Sequence, residues 1–209
     1  MNVYDKKMKL YREWDKELDA GPLAGAWVNA CSFMGRGGYF EAPASTRFHL
    51  SVKGGLLIHS VCVTELALRI HEIVPIECPR SFILAAGLLH DIGKCGLLDD
   101  QGAFHPRYTP NPKYRPGLVS KWNGAYEYND SKPQFTVRDL SALLVAKWGF
   151  PWEVIQAVLI HDGQYDPANT ALDYKGGGSP LAGLLQMADC FHAQQLEKTQ
   201  GIVPMKEVG

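Results

Sequence analysis

The stretch that most limits what this chain can become is Ser81 to Lys94. From Ser81 to Leu89 nearly every residue is apolar, and the run then ends on His90, Asp91, Ile92, Gly93 and Lys94. A helix that is apolar all round has to be buried. Two ionisable groups on its last turn are then costly unless they are paired or bound to a metal. The spacing predicts a helix opened by Pro79 at its first turn and stopped by Gly93 in a left-handed conformation. A helix C-terminus favours a cation, and imidazole with carboxylate suits Mn, Fe, Co, Ni or Zn. Taken alone, the pair reads equally well as a hydrogen-bonded cap. Lys94, one turn after His90, is either a cation near the last carbonyls or a charge held beside a phosphate oxygen.

A second apolar helix repeats this ending. Pro151 opens it, Val154, Ile155, Val158 and Leu159 are its buried positions, and it finishes on His161, Asp162 and Gly163. The helix before it is predicted from Thr136 to about Trp148. Thr136 and Asp139 resemble a capping box, and Gly149 closes the helix.

Two further helices place ionisable groups on apolar stripes. Over residues 56–73, Leu56, His59, Val63, Leu66 and Ile70 share one face, while His71 lies off the stripe and is expected to be exposed. From Ser179 to about Lys198, with Ser179 as N-cap and Pro180 at the first position, the stripe is Leu181, Leu185, Ala188, Asp189, His192 and Leu196. Alone, His59 reads as a structural core histidine. Asp189 is harder to explain, because carboxylates are rarely buried unpaired; His192, one turn on, is read as supporting the site. Three apolar helices carrying His59, His90-Asp91 and Asp189 suggest one shared partner, of which a metal is the simplest.

The remaining segments frame these helices. Residues 3–19 read as a charged helix with Leu10, Trp14 and Leu18 on one face, and residues 22–34 as a second helix broken at Gly35–Gly38, a cluster read as a turn or a phosphate cradle. Residues 39–55 form a loop carrying Arg47 and His49. Residues 97–136 are rich in proline and aromatics and lack helical periodicity. Val119–Trp122 and Ala125–Tyr128 around Asn123-Gly124 predict a hairpin with a type I′ turn. Trp122, Tyr126 and Tyr128 offer a stacking face for a base or a means of pinning the insert to the core. His105 is not expected to be a ligand.

Global properties remove some classes. A length of 209 residues suits one domain, and a 46% apolar share supports a sizeable core. The net charge of −1 excludes a surface that traps nucleic acid as a whole, though not a local basic groove. The five cysteines include no CxxC pair, which argues for a reducing compartment and against a disulfide framework or zinc ribbon. No signal peptide or membrane-length apolar run is visible, so a cytoplasmic protein is expected.

The ordered set His59, His90-Asp91 and Asp189 resembles the HD-domain superfamily of metal-dependent phosphohydrolases. Residues 42–49, 54–60 and 88–94 look like phage and mobile-element HD hydrolases. They are also similar to the HD domains of 3′–5′ exoribonucleases and conjugative relaxases. The resemblance covers roughly residues 39–198. It implies an all-α helical bundle with an irregular insert at 97–136 holding a hairpin, an N-terminal helical extension at 1–38 and a tail at 199–209. It implies that His59, His90, Asp91 and Asp189 ligate a divalent metal, manganese first among Mn, Fe, Co, Ni, Zn and Mg. By the same resemblance Lys94 would contact the substrate phosphate, His161 a second metal or the phosphate, and His49 would lie near the site. Asp91, Lys94 and His161 are read as catalytic, and Arg47 and His49, with Trp122 and Tyr126 of the aromatic insert, as substrate-binding. Many relatives carry a histidine where this chain has Val137 and a second histidine where it has Asp162, so one firmly held metal is expected. The implied activity is hydrolysis of phosphoester bonds in (deoxy)nucleotides. The alternatives are a 3′–5′ nuclease on single-stranded nucleic acid and a non-catalytic regulatory module. The implied location is the cytoplasm, including that of a phage host; no membrane partner is implied, and oligomeric state is open.

Overall fold

The computed structural model describes residues 2–46, 50–74, 76–116, 124–129, 135–163 and 178–193. Helices α1 (Val3–Asp19) and α2 (Ala24–Arg36) open the chain. They are followed by α3 (Gly55–Ile73), α4 (Arg80–Leu89) and a single 3-10 turn at Ile92–Lys94. Two small hairpins come next, β1 (Gly96–Leu98) with β2 (Phe104–Pro106) and β3 (Tyr108–Pro110) with β4 (Tyr126–Tyr128). Helices α5 (Val137–Trp148), α6 (Trp152–Ile160) and α7 (Pro180–Phe191) complete the described residues. The fold is mostly helical with a hairpin-bearing insert, as the patterning predicts.

The helices form where capping and apolar spacing agree. Asn2, Thr136 and Ser179 each accept a backbone N–H three residues on, which satisfies one of the orphan donors of α1, α5 and α7. Gly149 ends α5 in the left-handed region at φ +88°. Helix α3 sits at the centre, packed by α1, α4 and α7. Its first ten residues are buried on every side, so burial there is broader than a single stripe. Trp14 and Leu18 of α1 and Trp27 of α2 join the same apolar cluster as α3–α7.

Several expectations change. On α1 the buried residues are Tyr11, Trp14 and Leu18, with Leu10 only half-buried, because the i, i+3, i+7 face is the one turned to α3. Helix α2 runs through Gly35 and stops at Gly37, while Gly38 makes the turn at φ +71°. Pro79 is the N-cap of α4 and Arg80 its first residue. His71 is half-buried, its Nε2 donating to Ile76 O at 2.9 Å. On α6, Ala157 and Ile160 take the buried places beside Val154 and Val158, leaving Ile155 and Leu159 half-buried.

Gly93 is also different in kind. It is not among the left-handed glycines, and it lies inside the 3-10 turn. A side chain there would strike Val137 O, and the Gly93 N–H donates to Ser141 Oγ at 2.9 Å. Glycine is therefore required by the close approach of α5 rather than by its φ angle.

The hairpins depart most from expectation. Tyr126–Tyr128 pairs antiparallel with Tyr108–Pro110, in the register Tyr108↔Tyr128 and Pro110↔Tyr126. Residues 119–123, the expected partner strand and turn, lie outside the described residues. The hairpin β1–β2 was not foreseen. Its turn is held by the Asp99 carboxylate, which accepts from the N–H groups of Gln101 and Ala103. His105 Nε2 donates to Asp99 Oδ2 at 2.8 Å, which gives that histidine a local partner. Among the described residues no helix is long and apolar enough to cross a membrane.

Candidate metal centre

Helix packing brings the ionisable groups together. Helices α3 and α4 cross at Gly87, where a Cβ would stand 3.0 Å from Thr64 Cα. That close crossing lets His59, one turn and a half before Thr64, meet His90, three residues after Gly87. Their Nε2 atoms are 3.2 Å apart. Helix α7 brings Asp189 alongside, with Oδ1 3.1 Å from His59 Nε2 and 3.8 Å from His90 Nε2. Asp91 Oδ2 lies 3.5 Å from His59 Nε2 and 3.4 Å from His90 Nε2.

Both His-Asp helix ends are built in the same way. His90 Nδ1 donates to Gly87 O at 2.8 Å, and His161 Nδ1 donates to Val158 O at 2.7 Å. Each ring thus points its Nε2 into the site. His161 Nε2 is 3.8 Å from Asp91 Oδ1, and its ring centroid is 4.9 Å from that of His90. The ring of His192 packs 5.6 Å from that of His59.

The donor set fits a divalent ion. Ligand atoms about 2.1 Å from one ion lie roughly 3.0 Å apart on octahedral edges and roughly 3.4 Å apart on tetrahedral edges. The separations between the imidazole nitrogens and the two carboxylates, 3.1, 3.4, 3.5 and 3.8 Å, lie around the tetrahedral edge, with the longest slightly beyond it. His59, His90 and Asp91 form one group with all donor atoms within 4.8 Å, and His90, His161 and Asp189 form another. Among the described residues these are the groups with that spacing. Two carboxylate oxygens and two imidazole nitrogens facing one point make a donor set that could hold a divalent cation.

Electrostatics already favour the anionic carboxylates. Burial alone would raise the Asp91 carboxyl, but Lys94 and then His90 outweigh it and hold it well below the usual range. Burial likewise opposes ionisation of Asp189, and His59 and His90 reverse the balance. His90 and Lys94 are each pushed down by burial and raised overall by the Asp91 carboxylate. Lys94 Nζ forms an ion pair with Asp91 Oδ2.

A cleft of about 220 Å³ opens on the other side of Lys94. The turn at Gly38 and the loop after it form one wall, and Phe104, Tyr108 and Tyr126 of the hairpins form the other. Burial pushes the Tyr108 phenol up to about 12 against the pull of Lys94.

The structure therefore gathers His59, His90, Asp91, Lys94, His161 and Asp189 at one place. Tyr126 lines the neighbouring cleft. Arg47, His49 and Trp122 lie outside the described residues. Sequence reasoning missed Ser141, which seats the His-Asp turn on α5, and Tyr39, whose hydroxyl donates to Leu88 O at 2.9 Å. It also missed Phe104 and Tyr108. The alternation of aromatics with prolines over residues 104–110 was the signal available for those two.

Fold and donor set together define a helical domain built around a cluster of His and Asp side chains that could hold a metal. Comparison with known proteins places a family match on the same helices: residues 56–111 match the HD domain family. The chain is 31% identical over 133 residues to dihydroneopterin 2′,3′-cyclic phosphate phosphodiesterase from Methanocaldococcus jannaschii. The match covers 61% of this chain and 44% of that protein, so the chain spans less than half the length of this relative. No solved structure matches the chain.

Proposed function

We propose that this protein is a metal-dependent phosphohydrolase that cleaves a phosphoester bond in a small nucleotide-type substrate. The observation that carries this reading is the convergence of His59, His90, Asp91 and Asp189 at 3.1 to 3.8 Å. The phosphodiesterase relative, named for a 2′,3′-cyclic phosphate, supports the same bond type.

When bound, a divalent cation, manganese being favoured, supplies Lewis-acid polarisation of a phosphoryl oxygen and a more acidic water. His59, His90, Asp91 and Asp189 would hold it. His90 needs no change of tautomer to do so, because its Nδ1 proton is committed to Gly87 O. Lys94 sits between the donor set and the cleft, and its ammonium offsets negative charge as it grows on the phosphate. Asp91, ionised and already hydrogen-bonded to Lys94, accepts a hydrogen bond from the attacking water and orients it. His161 Nε2 lies 3.8 Å from Asp91 Oδ1, the oxygen that Lys94 does not pair with, and contacts the same phosphate or the water.

The test is metal analysis of the purified protein followed by a phosphate-release screen. The screen covers nucleotides, 2′,3′-cyclic nucleotides and short oligonucleotides. Release that requires added metal and is abolished by Asp91→Ala is expected. Unchanged release by Asp91→Ala would remove the assignment.

A further inference from the structure

The geometry points to the cleft between the Gly38 turn and the two hairpins as the seat of one heteroaromatic ring, carried by the alcohol half of a small phosphate ester. This inference rests on the phosphohydrolase reading and says which class of substrate it takes.

Four observations carry it. First, Lys94 belongs to both places: its Nζ pairs with Asp91, and it also lines the cleft. An anion held by Lys94 from the cleft side therefore abuts the donor set. Second, the walls are aromatic in a regular way. Alternation along β3–β4 puts Tyr108, Pro110, Tyr126 and Tyr128 on one face. Tyr108 and Tyr126 line the cleft, while Tyr128 packs 5.3 Å from Tyr108 and lies under Arg107. Phe104 supplies a third ring.

Third, the walls are tied in place. Tyr126 N–H donates to Thr46 O at 3.1 Å, which joins the second hairpin to the loop opposite. Asn129 N–H donates to Arg107 O, and Arg107 N–H donates to Cys95 O, which joins both hairpins to the end of the 3-10 turn. Gly38, at φ +71°, lies so close to Phe104 that a Cβ there would stand 3.1 Å from its ring. Gly38 therefore packs directly on Phe104 and fixes that ring against the turn. Fourth, the size is restrictive. About 220 Å³ falls below the roughly 300–1,000 Å³ of drug-sized sites. It holds one ring system and not a run of stacked bases, and Lys53, largely exposed and paired with Glu41, is the second cation at its rim.

The experiment uses the full chain in EDTA, so that binding is read without turnover. The four nucleoside 3′-monophosphates and glycerol 2-phosphate are titrated calorimetrically. At least one nucleotide should bind more tightly than glycerol phosphate. Tyr126→Ala and Phe104→Ala should each weaken that nucleotide by about five- to a hundredfold, the range for loss of one stacking partner. Glycerol phosphate binding should not change. Tyr126→Phe should restore nucleotide binding to within about twofold, and Trp152→Ala, on the exposed start of α6, should leave it unaltered.

Equal loss for both ligands in the alanine variants overturns the ring site. So does the absence of nucleotide binding, or a ten-nucleotide strand binding a hundredfold tighter than any monomer. Turnover that ignores Tyr126 and Phe104 sinks this inference and leaves the hydrolase reading intact. Tyr126-dependent binding with no turnover of any phosphoester does the reverse.

Discussion

Gly87 of α4 passes Thr64 of α3 so closely that a Cβ at residue 87 would stand 3.0 Å from Thr64 Cα and overlap its hydroxyl. The Thr64 hydroxyl donates to Ser60 O at 2.7 Å and cannot simply turn away. Gly87→Ala forces the helices apart next to the paired imidazoles. We expect a loss of about 1–3 kcal/mol in urea unfolding, the range for overpacking. Metal per chain should fall as well. Full metal content at unchanged stability would show that the crossing does not set the His59–His90 distance.

Ser141 links α5 to the His-Asp turn, accepting from Gly93 N–H at 2.9 Å and donating to Val137 O at 2.8 Å. Ser141→Ala leaves a buried N–H without its acceptor, at about 1–3 kcal/mol. Hydrogen exchange at the Gly93 amide should accelerate in the variant. An amide as protected as in the natural chain would refute this role.

Lys94 is expected to affect turnover and not loading. Lys94→Met should keep its metal, since no ligand atom is removed, and should lower kcat by about a hundred- to a thousandfold, the scale for one electrostatic contact to a developing anion. Metal analysis and phosphate release, run on the same sample, separate the two effects. Loss of metal in Lys94→Met would make the lysine a support for Asp91 alone.

Metal removal should destabilise the fold by linkage. At a hundredfold excess over Kd, a bound ion contributes about 2.7 kcal/mol. EDTA should therefore lower the melting temperature of the natural chain and leave that of Asp189→Asn unchanged. An identical shift in both proteins would place the ion elsewhere.

Away from the site, Lys7 Nζ meets Glu65 Oε2 at 2.7 Å, with Arg69 on the other oxygen. Burial opposes the Glu65 charge, and Lys7 outweighs it, so the folded pKa lies below the ordinary value. For Lys7, burial is outweighed by Cys62 and Glu65, so its pKa is raised. The carboxylate's contribution is present above its unfolded pKa of about 4.3 and is lost as pH falls through the lower folded value. The lysine's is present below about 10.4 and is lost as pH rises through the higher folded value. The stability difference between the natural chain and Glu65→Gln should be about 0.2–1 kcal/mol at pH 7, as for partly exposed pairs. It should shrink below pH 4. Denaturation curves at pH 3 and 7 measure it.

The helical frame was legible because apolar spacing, Asn2, Thr136 and Ser179 caps, and Gly149 all act locally. Grouping His59, His90-Asp91 and Asp189 was legible for a related reason: each charge sits on an apolar helix that has to be buried. What escaped depended on contacts between distant segments. Tyr126–Tyr128 lies beside Asn123-Gly124, a strong hairpin signal, yet it pairs with Tyr108–Pro110, more than a dozen residues upstream. Gly93 looked like a helix stop, but its role comes from Val137 and Ser141 on another helix.

The position of the hairpins in the chain has one further consequence. They leave the bundle directly after Lys94 and Cys95, so one wall of the cleft comes from a single excursion of the chain, while the other is the Gly38 turn and the loop after it. None of the donor residues His59, His90, Asp91 and Asp189 lies on that excursion. The hairpin side of the cleft, Phe104, Tyr108 and Tyr126, can therefore be altered without exchanging a single donor residue.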